Sequence, residues 1–229
     1  MYKNKNILAI IPARGGSKSI PNKNIIKLAN KPLIGHTIAQ AQKSRYIDKI
    51  VVTSDSPVIL SVAEDYGAEL IHRPKEFAQD ASKMDQCIRH ALLYLYDLDT
   101  YKPDFVVLLQ PTSPLRKIAT VDKAISEFVD NSDKFDSLTS VHVLEPKLGN
   151  ILKGRYMPYN KMNMQRQQLK EIYQECGTVF LFKPGRILKE QSLYGTRILP
   201  FIIKDRAESI DINDKHDIDL AEYFLSINI

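Results

Sequence analysis

The sequence predicts an α/β fold: a Rossmann-like, mostly parallel sheet flanked by helices, with a β-hairpin excursion late in the chain. Three observations predict it. Runs such as ILAIIP (Ile7–Pro12) and FVVLLQ (105–110) are almost wholly apolar, as strands buried on both faces are. Segments of helical period separate such runs, so the connections read as right-handed βαβ crossovers. Polar loops follow the carboxyl ends of the runs, where open α/β sheets bind their ligands.

In chain order, Ile7–Pro12 is the first strand. KPLIGHTIAQAQKS (31–44) follows as a helix with Pro32 in its first turn. KIVVTS (Lys49–Ser54) is a second strand. DSPVILSVAEDYG is a helix capped by Asp55 or Ser56, with Pro57 early and Gly67 closing it. Residues 69–73 form a third short strand. Residues 83–98 form a helix whose apolar face carries Ile88, Leu92 and Leu95. Residues 105–110 are the most strand-like segment of all. The rhythm changes after Ser137: SLTSVHVLEP, GNILKGRYMPY and CGTVFLFKPG read as strands, with KGR a tight turn. RILPFIIK then returns as a strand, SIDIND as a loop and DKHDIDLAEYFLSI as a closing amphipathic helix.

At 229 residues the chain suits one α/β domain spanning 1–229, with the hairpin excursion at about 140–180. Exposed hairpins of this kind cover a site or reach another subunit. A composition 44% hydrophobic and 26% charged supports an ordinary core. Lys+Arg 32 against Asp+Glu 27 gives a net +5, and no run of five like charges exists. That dispersal speaks against a nucleic-acid binder and for an anionic small-molecule ligand. Cys87 and Cys176 lie far apart, so neither zinc nor a disulfide is implied; both read as small buried residues. The opening MYKNKN leads into a strand rather than a signal peptide, and nothing approaches the roughly 18 apolar residues of a spanning helix. A soluble cytoplasmic protein is the expectation, and the five histidines form no visible triad or metal pair.

Three polar stretches share the predicted sheet edge: 13–24, 53–55 and 110–116. In the first, Gly15 and Gly16 let backbone N–H groups approach a phosphate, Lys18 and Lys23 add point charges, and Arg14 can bind phosphate oxygens bidentately. Neither the Walker pattern nor G-x-G-x-x-G is present. The other reading of this loop is a solvated turn with exposed lysines.

The stretch ILAIIPARGGSKSIPNKN resembles the N-terminal signature of the acylneuraminate cytidylyltransferases, the CMP-sialic acid synthetases. The resemblance continues through KPLIGHTI, IDKIVVTSDS, VAEDYGAELIHRP, LLQPTSPLR, QRQQL and SIDIND, in order over most of the chain. It implies a nucleotidyltransferase-type fold and a sugar-activating reaction. CTP gives CMP to the anomeric hydroxyl of a nine-carbon 2-keto sugar acid, an N-acylneuraminate or relative, and pyrophosphate leaves. Magnesium, or another divalent cation, is the implied cofactor, and a homodimer built through the hairpin excursion is the implied assembly.

By that resemblance Ala13, Arg14, Lys23 and Asn24 contact the nucleotide, with Arg14 and Lys23 on its phosphates and Lys18 assisting. Arg73, Asp80 and Ser82 form the cytosine and ribose pocket. Gln110 and the PTSPLR turn meet the sugar acid. Arg166 in QRQQL reaches its carboxylate across the dimer, Lys147 in EPK plays a related part, and Phe180 lines the sugar site. Asp211 is the metal ligand, joined by Asn213 through its carbonyl or a water. Arg14, Lys23 and Asp211 are thus the catalytic set. The other reading of 211–214 is that it simply caps the last helix.

The sequence departs from the family pattern in three places. Asn213 stands where a second aspartate is common, Cys176 where asparagine is frequent, and Phe180 where a tyrosine is frequent. The last two bear on the sugar, so legionaminate, pseudaminate and 3-deoxy-manno-octulosonate are alternative substrates. QRQQL and the long excursion favour the nine-carbon acids. The alternative of another class is a non-catalytic protein that holds CTP or a CMP-sugar.

Overall fold

All six residues of β1 (Ile7–Pro12) are buried, and the pleat sends them to two different cores. Ile7, Ala9 and Ile11 join one apolar cluster, while Leu8 and Ile10 join the other. A strand covered on both faces must be apolar throughout, which is the property read from its sequence. The computed structural model describes residues 1–17, 19–98, 101–144, 148–159 and 171–227.

After β1 comes a small hairpin, β2 (Lys27–Leu28) and β3 (Lys31–Pro32), turned by Ala29 and Asn30, both at positive φ. This corrects the first helix: Pro32 is extended, and α1 runs Leu33–Lys43. β4 (Lys49–Ser54) and α2 (Pro57–Asp65) fall as expected. Ser56 Oγ caps α2 by accepting the N–H of Ile59, and Gly67 leaves it at φ +75°. β5 (Glu69–His72), α3 (Met84–Leu98) and β6 (Phe105–Leu108) follow.

α4 (Ile118–Asp130) is a helix for which the sequence reading made no provision, although Val121, Ala124, Ile125 and Phe128 recur at helical spacing and are buried. Then come β7 (Ser137–Leu144), β8 (Gly149–Leu152), β9 (Arg155–Pro158) and β10 (Ile172–Phe182). Lys153 and Gly154, both at positive φ, make the two-residue turn between β8 and β9. α5 (Pro184–Glu190), whose first two residues were expected to end the CGTVFLFKPG strand, leads to β11 (Ile198–Ile202) and α6 (Lys215–Ile227).

The main sheet has the order β11-β7-β10-β6-β1-β4-β5. β1 is parallel to β4 and β6, β4 to β5, and β11 to β7; β10 alone runs antiparallel to its neighbours β6 and β7. α1, α2 and α4 supply residues to one core and α3 and α5 to the other. A third cluster, Leu28, Leu33, Ile212 and Ala221, docks the loop before α6 on the β2–β3 hairpin.

β10 carries a large bulge. Glu175 pairs with Val141 and Phe180 with Thr139, so Cys176, Gly177, Thr178 and Val179 oppose the single residue Ser140. Ser140 Oγ closes the bulge, donating to the Cys176 carbonyl at 2.6 Å and accepting the Val179 N–H at 3.0 Å. Arg116, 2% exposed, fastens it from the other side. Its Nε donates to Thr178 O (2.8 Å), and Nη2 donates to Gln110 O (2.6 Å) and Gly177 O (3.4 Å). Its Nη1 donates to Thr37 Oγ1 (3.1 Å) and Gln40 Oε1 (3.2 Å). Five donors meet five acceptors, which is the full capacity of a guanidinium. Burial pulls its pKa down to about 9, against the opposing charges of Asp211 and Glu208, so it remains a cation at neutral pH.

Replacing Arg116 by Met is expected to lower unfolding stability by about 3–5 kcal/mol, because buried acceptors on three segments lose their partner. Urea denaturation at constant m-value measures this. An unchanged midpoint would show that the bulge holds without the arginine.

Candidate functional site

The carboxyl ends of β1, β5 and β6 open onto a cleft of about 430 Å³; of the three polar stretches expected to share this edge, 13–24 and 110–116 line it and 53–55 does not. Arg14, Lys23, Asn24, Arg73, Asp80, Ser82 and Gln110 all line it. A second cavity of about 310 Å³ adjoins, lined by Gln110, Phe180 and Asp211 among others. Gln110 and Met84 line both. The structure therefore brings most of the expected site residues together; Lys18, Lys147 and Arg166 lie outside the described residues.

The first loop is built differently from the expectation. Ala13 is buried, its N–H donates to Thr53 O at 3.0 Å, and its side chain has no face on the cleft. The Gly15 N–H donates to Asp55 Oδ1 at 3.0 Å, so it is taken by the protein. A Cβ there would lie 2.9 Å from Ser56 Cβ; the glycine is needed for close approach to the start of α2, while Gly16 faces open space. Asn24, 7% exposed, donates through Nδ2 to Arg14 O at 2.9 Å and sets the backbone that carries the arginine. Arg14 reaches over the cleft, and its Nη1 meets Asp80 Oδ1 at 2.7 Å.

Lys23 is half-buried and donates from Nζ to Ile212 O at 2.8 Å, tying the first loop to the loop before α6. Burial lowers its pKa; Asp211 pulls the other way, and Arg14 adds to the lowering. Arg73, at the end of β5, is 4% exposed. Its Nη1 donates to Cys87 Sγ at 2.7 Å and its Nη2 stands 3.7 Å from Asp55 Oδ1, while Nε and Nη2 have no hydrogen-bond partner. Burial raises the Cys87 thiol, with the arginine opposing, and both cysteines are buried free thiols. Ser82 closes a local turn, donating to Glu76 O at 2.8 Å and accepting the Gln79 N–H at 3.0 Å.

Asp211 and Asn213 share one side of the loop, as an i, i+2 pair with a buried residue between them should. Asn213 Nδ2 donates to Asp211 Oδ2 at 3.0 Å, while Asp211 Oδ1 is buried without a hydrogen-bond partner. Helix capping is done one residue later. The Asp217 N–H donates to Asp214 Oδ1 (3.1 Å), and Asp217 Oδ2 accepts the N–H groups of Asn213 (2.8 Å) and Asp214 (3.0 Å), a reciprocal cap. Asp211 is thus left out of the cap. An orphaned carboxylate oxygen at the junction of the two cavities suits a hard divalent cation. Among the described residues no group of three or more His, Cys, Asp or Glu could hold a metal, so substrate oxygens and water would complete the shell.

Gly177 lies under this junction: a Cβ there would sit 2.9 Å from Ser113 Oγ and 3.8 Å from Asp211 Oδ1. Its position was legible as an isolated glycine inside a strand pattern, a bulge signal. Glu175 and Tyr194 were missed, and Asp55 and Arg116 were read as a helix cap and part of the PTSPLR turn, because the partners they bond lie far away in sequence.

A family model described as cytidylyltransferase matches residues 8–190. The chain is 34% identical over 223 residues to an N-acylneuraminate cytidylyltransferase of Escherichia coli, covering 94% of this chain but 51% of that protein, so it spans about half the length of that relative. It is 33% identical over 230 residues to a CMP-N,N'-diacetyllegionaminic acid synthase of Legionella pneumophila, covering 97% of each. Its fold is similar to that of a solved CMP:2-keto-3-deoxy-manno-octonic acid synthetase complexed with CTP, with a TM-score of 0.75 at 13% identity over 98% of this chain and 100% of that one. With the strand-end cleft and the match over most of its length, the chain belongs to the cytidylyltransferase family.

Proposed function

We propose that the protein transfers CMP from CTP to the anomeric hydroxyl of a nine-carbon 2-keto sugar acid, an N-acylneuraminate or a relative such as legionaminate. The observation that carries this reading is the pair of adjoining cavities. One is a polar cleft beneath Arg14 and Lys23, the other a smaller chamber, and they meet at Gln110 with Asp211 beside it. A triphosphate laid in the cleft would place its α-phosphorus toward the chamber. There the anomeric oxygen forms the new O–P bond as the bond to the β-phosphate oxygen breaks and pyrophosphate departs.

Such a transfer needs positioning and charge neutralisation more than covalent chemistry. Arg14 supplies a planar donor fork, exchanging Asp80 for phosphate oxygens when nucleotide binds. Lys23 supplies a half-buried positive charge that the Ile212 carbonyl holds in place. Arg73, Asp80 and Ser82 line the far side of the cleft and take the nucleoside. Asp211, with Asn213 beside it, would hold magnesium, which when bound neutralises phosphate charge. Gln110 and Phe180 face the sugar acid.

The reading includes one catalytic domain over 1–229 working as a homodimer. Its support is the β8–β9 hairpin, which leaves Ile151 78% and Leu152 63% exposed, with Tyr156 and Met157 beside them. In that homodimer Lys147 and Arg166 are assigned, on the family resemblance alone, to the sugar acid across the dimer. Among the described residues no helix is long and apolar enough to cross a membrane. A reaction that consumes CTP places the enzyme in the cytoplasm.

The founding experiment is pyrophosphate release with CTP and magnesium against a panel of sugar acids: N-acetylneuraminate, diacetyl-legionaminate, pseudaminate and octulosonate. Silence across the panel with CTP still bound would overturn the reading. Arg14→Ala should lower turnover at least a hundredfold with every acid, as loss of a transition-state charge partner does; retained activity would remove Arg14 from the phosphates. In magnesium titrations Asp211→Asn should need a much higher concentration for half-maximal rate, and an unchanged curve would take Asp211 out of the metal site. Gly177→Ala should cut sugar-acid turnover roughly ten- to a hundredfold while calorimetry finds CTP affinity unchanged, because the added methyl displaces the junction.

A further inference from the structure

The chamber contains a group that the reaction above does not use. Glu175 lines it, at the last regular pair before the β10 bulge. Its Oε1 accepts two hydroxyl bonds, from Tyr194 Oη at 2.9 Å and from Thr139 Oγ1 at 2.9 Å. Two donors on one oxygen fix the plane of the carboxylate and direct Oε2 elsewhere. The Tyr194 ring in turn packs edge-on against Phe180, with centroids 4.9 Å apart. The hydroxyl that Phe180 lacks is therefore supplied to this chamber by Tyr194, and it is spent on orienting Glu175.

A second carboxylate, Asp85, lines the same chamber. Burial first, then the Glu175 bond and the charges of Glu175 and Asp85, push the Tyr194 phenol up to about 12, so it stays a donor at any working pH. Phe180, Leu193 and Leu108 supply apolar wall. No lysine or arginine among the described residues lines this space.

We propose that Glu175, braced by Tyr194 and Thr139, determines specificity, selecting sugar acids whose substituent at this end of the chamber carries a cationic nitrogen, an amine or an amidine. The inference rests on the chamber being the sugar-acid site. A carboxylate bonded to a cation makes roughly twice as strong a hydrogen bond as neutral partners make. A neutral acylamino group offers one N–H and no charge. An O-acyl group offers only acceptors to carboxylates, leaving both sides unpaired, and is rejected most.

The test uses the full chain with CTP, magnesium and three nine-carbon acids that differ only in that substituent: amino, acetamido and O-acetyl. Wild type should show kcat/KM highest for the amino acid, lower for the acetamido and lowest for the O-acetyl, with about tenfold between the extremes. Glu175→Gln should lower kcat/KM for the amino acid about tenfold through KM and change the O-acetyl less than about twofold. Tyr194→Phe and Thr139→Val, which keep ring and volume, should each move the same preference in the same direction by less. Pyrophosphate release without this order, or a Glu175→Gln loss equal for all three, overturns the inference alone. No release from any of the three, nor from the wider panel, overturns the sugar-acid reading and this inference with it.

Discussion

A guanidinium buried away from water loses stability for every N–H left without an acceptor, and Arg116 meets that demand through bonds to three separate segments. Two acceptors are backbone carbonyls of the β10 bulge, one is the Gln110 carbonyl, and two are side chains of α1. Moving any of them strands a donor in a site with no water to replace it, at a cost of about 1–3 kcal/mol each. The loop after β6, the bulge and the first helix are therefore fixed relative to one another. Both cavities depend on that arrangement, since Gln110 borders each and Gly177 lies at their junction.

The charges divide along the same line. Arg14 and Lys23 make the nucleotide side basic, while Glu175 and Asp85 make the chamber acidic. Asp211 stands between them, near enough to Lys23 and Arg116 to oppose the lowering of both their pKa values. Asn213 contributes no second negative charge, and its amide instead donates to one oxygen of Asp211. In the proposed reaction the protein's share of a divalent cation's shell would then be small, with triphosphate oxygens supplying much of the rest.

The strands and their order in the chain were legible because a two-face burial requirement writes itself into local sequence. Ile7–Pro12 and Lys49–Ser54 are examples, as are the Ser56 cap and the KGR turn. The missed helix Ile118–Asp130 was also legible, by the spacing of Val121, Ile125 and Phe128. The β2–β3 hairpin was not, because Ala29 and Asn30 hold positive φ without the glycine that usually announces such a turn. At the site, residue types suggested a chemistry for Lys23 and Asp211 but could not reveal the bonds the two make. Gly15 shows the difference: its sequence context suggested a phosphate cradle, yet its N–H belongs to Asp55 and its missing side chain to the packing of α2. Arg116 looked like part of a substrate turn because nothing local reveals that its acceptors lie 61, 62, 76 and 79 residues away.

Two relatives matched at 34% and 33% identity are named for different sugar acids. The structure gives a physical reason why one scaffold can support such divergence. Cleft and chamber share Met84 and Gln110 in their linings and little else. The cleft is built on loops at the ends of β1, β5 and β6, whereas the chamber draws on the β10 bulge and the turn after α5. A change at Glu175, Cys176, Phe180 or Tyr194 can therefore reshape the chamber while Arg14 and Lys23 in the cleft keep their positions. The bulge makes this independence possible, since Arg116 and Ser140 hold its backbone and leave its side chains free to vary.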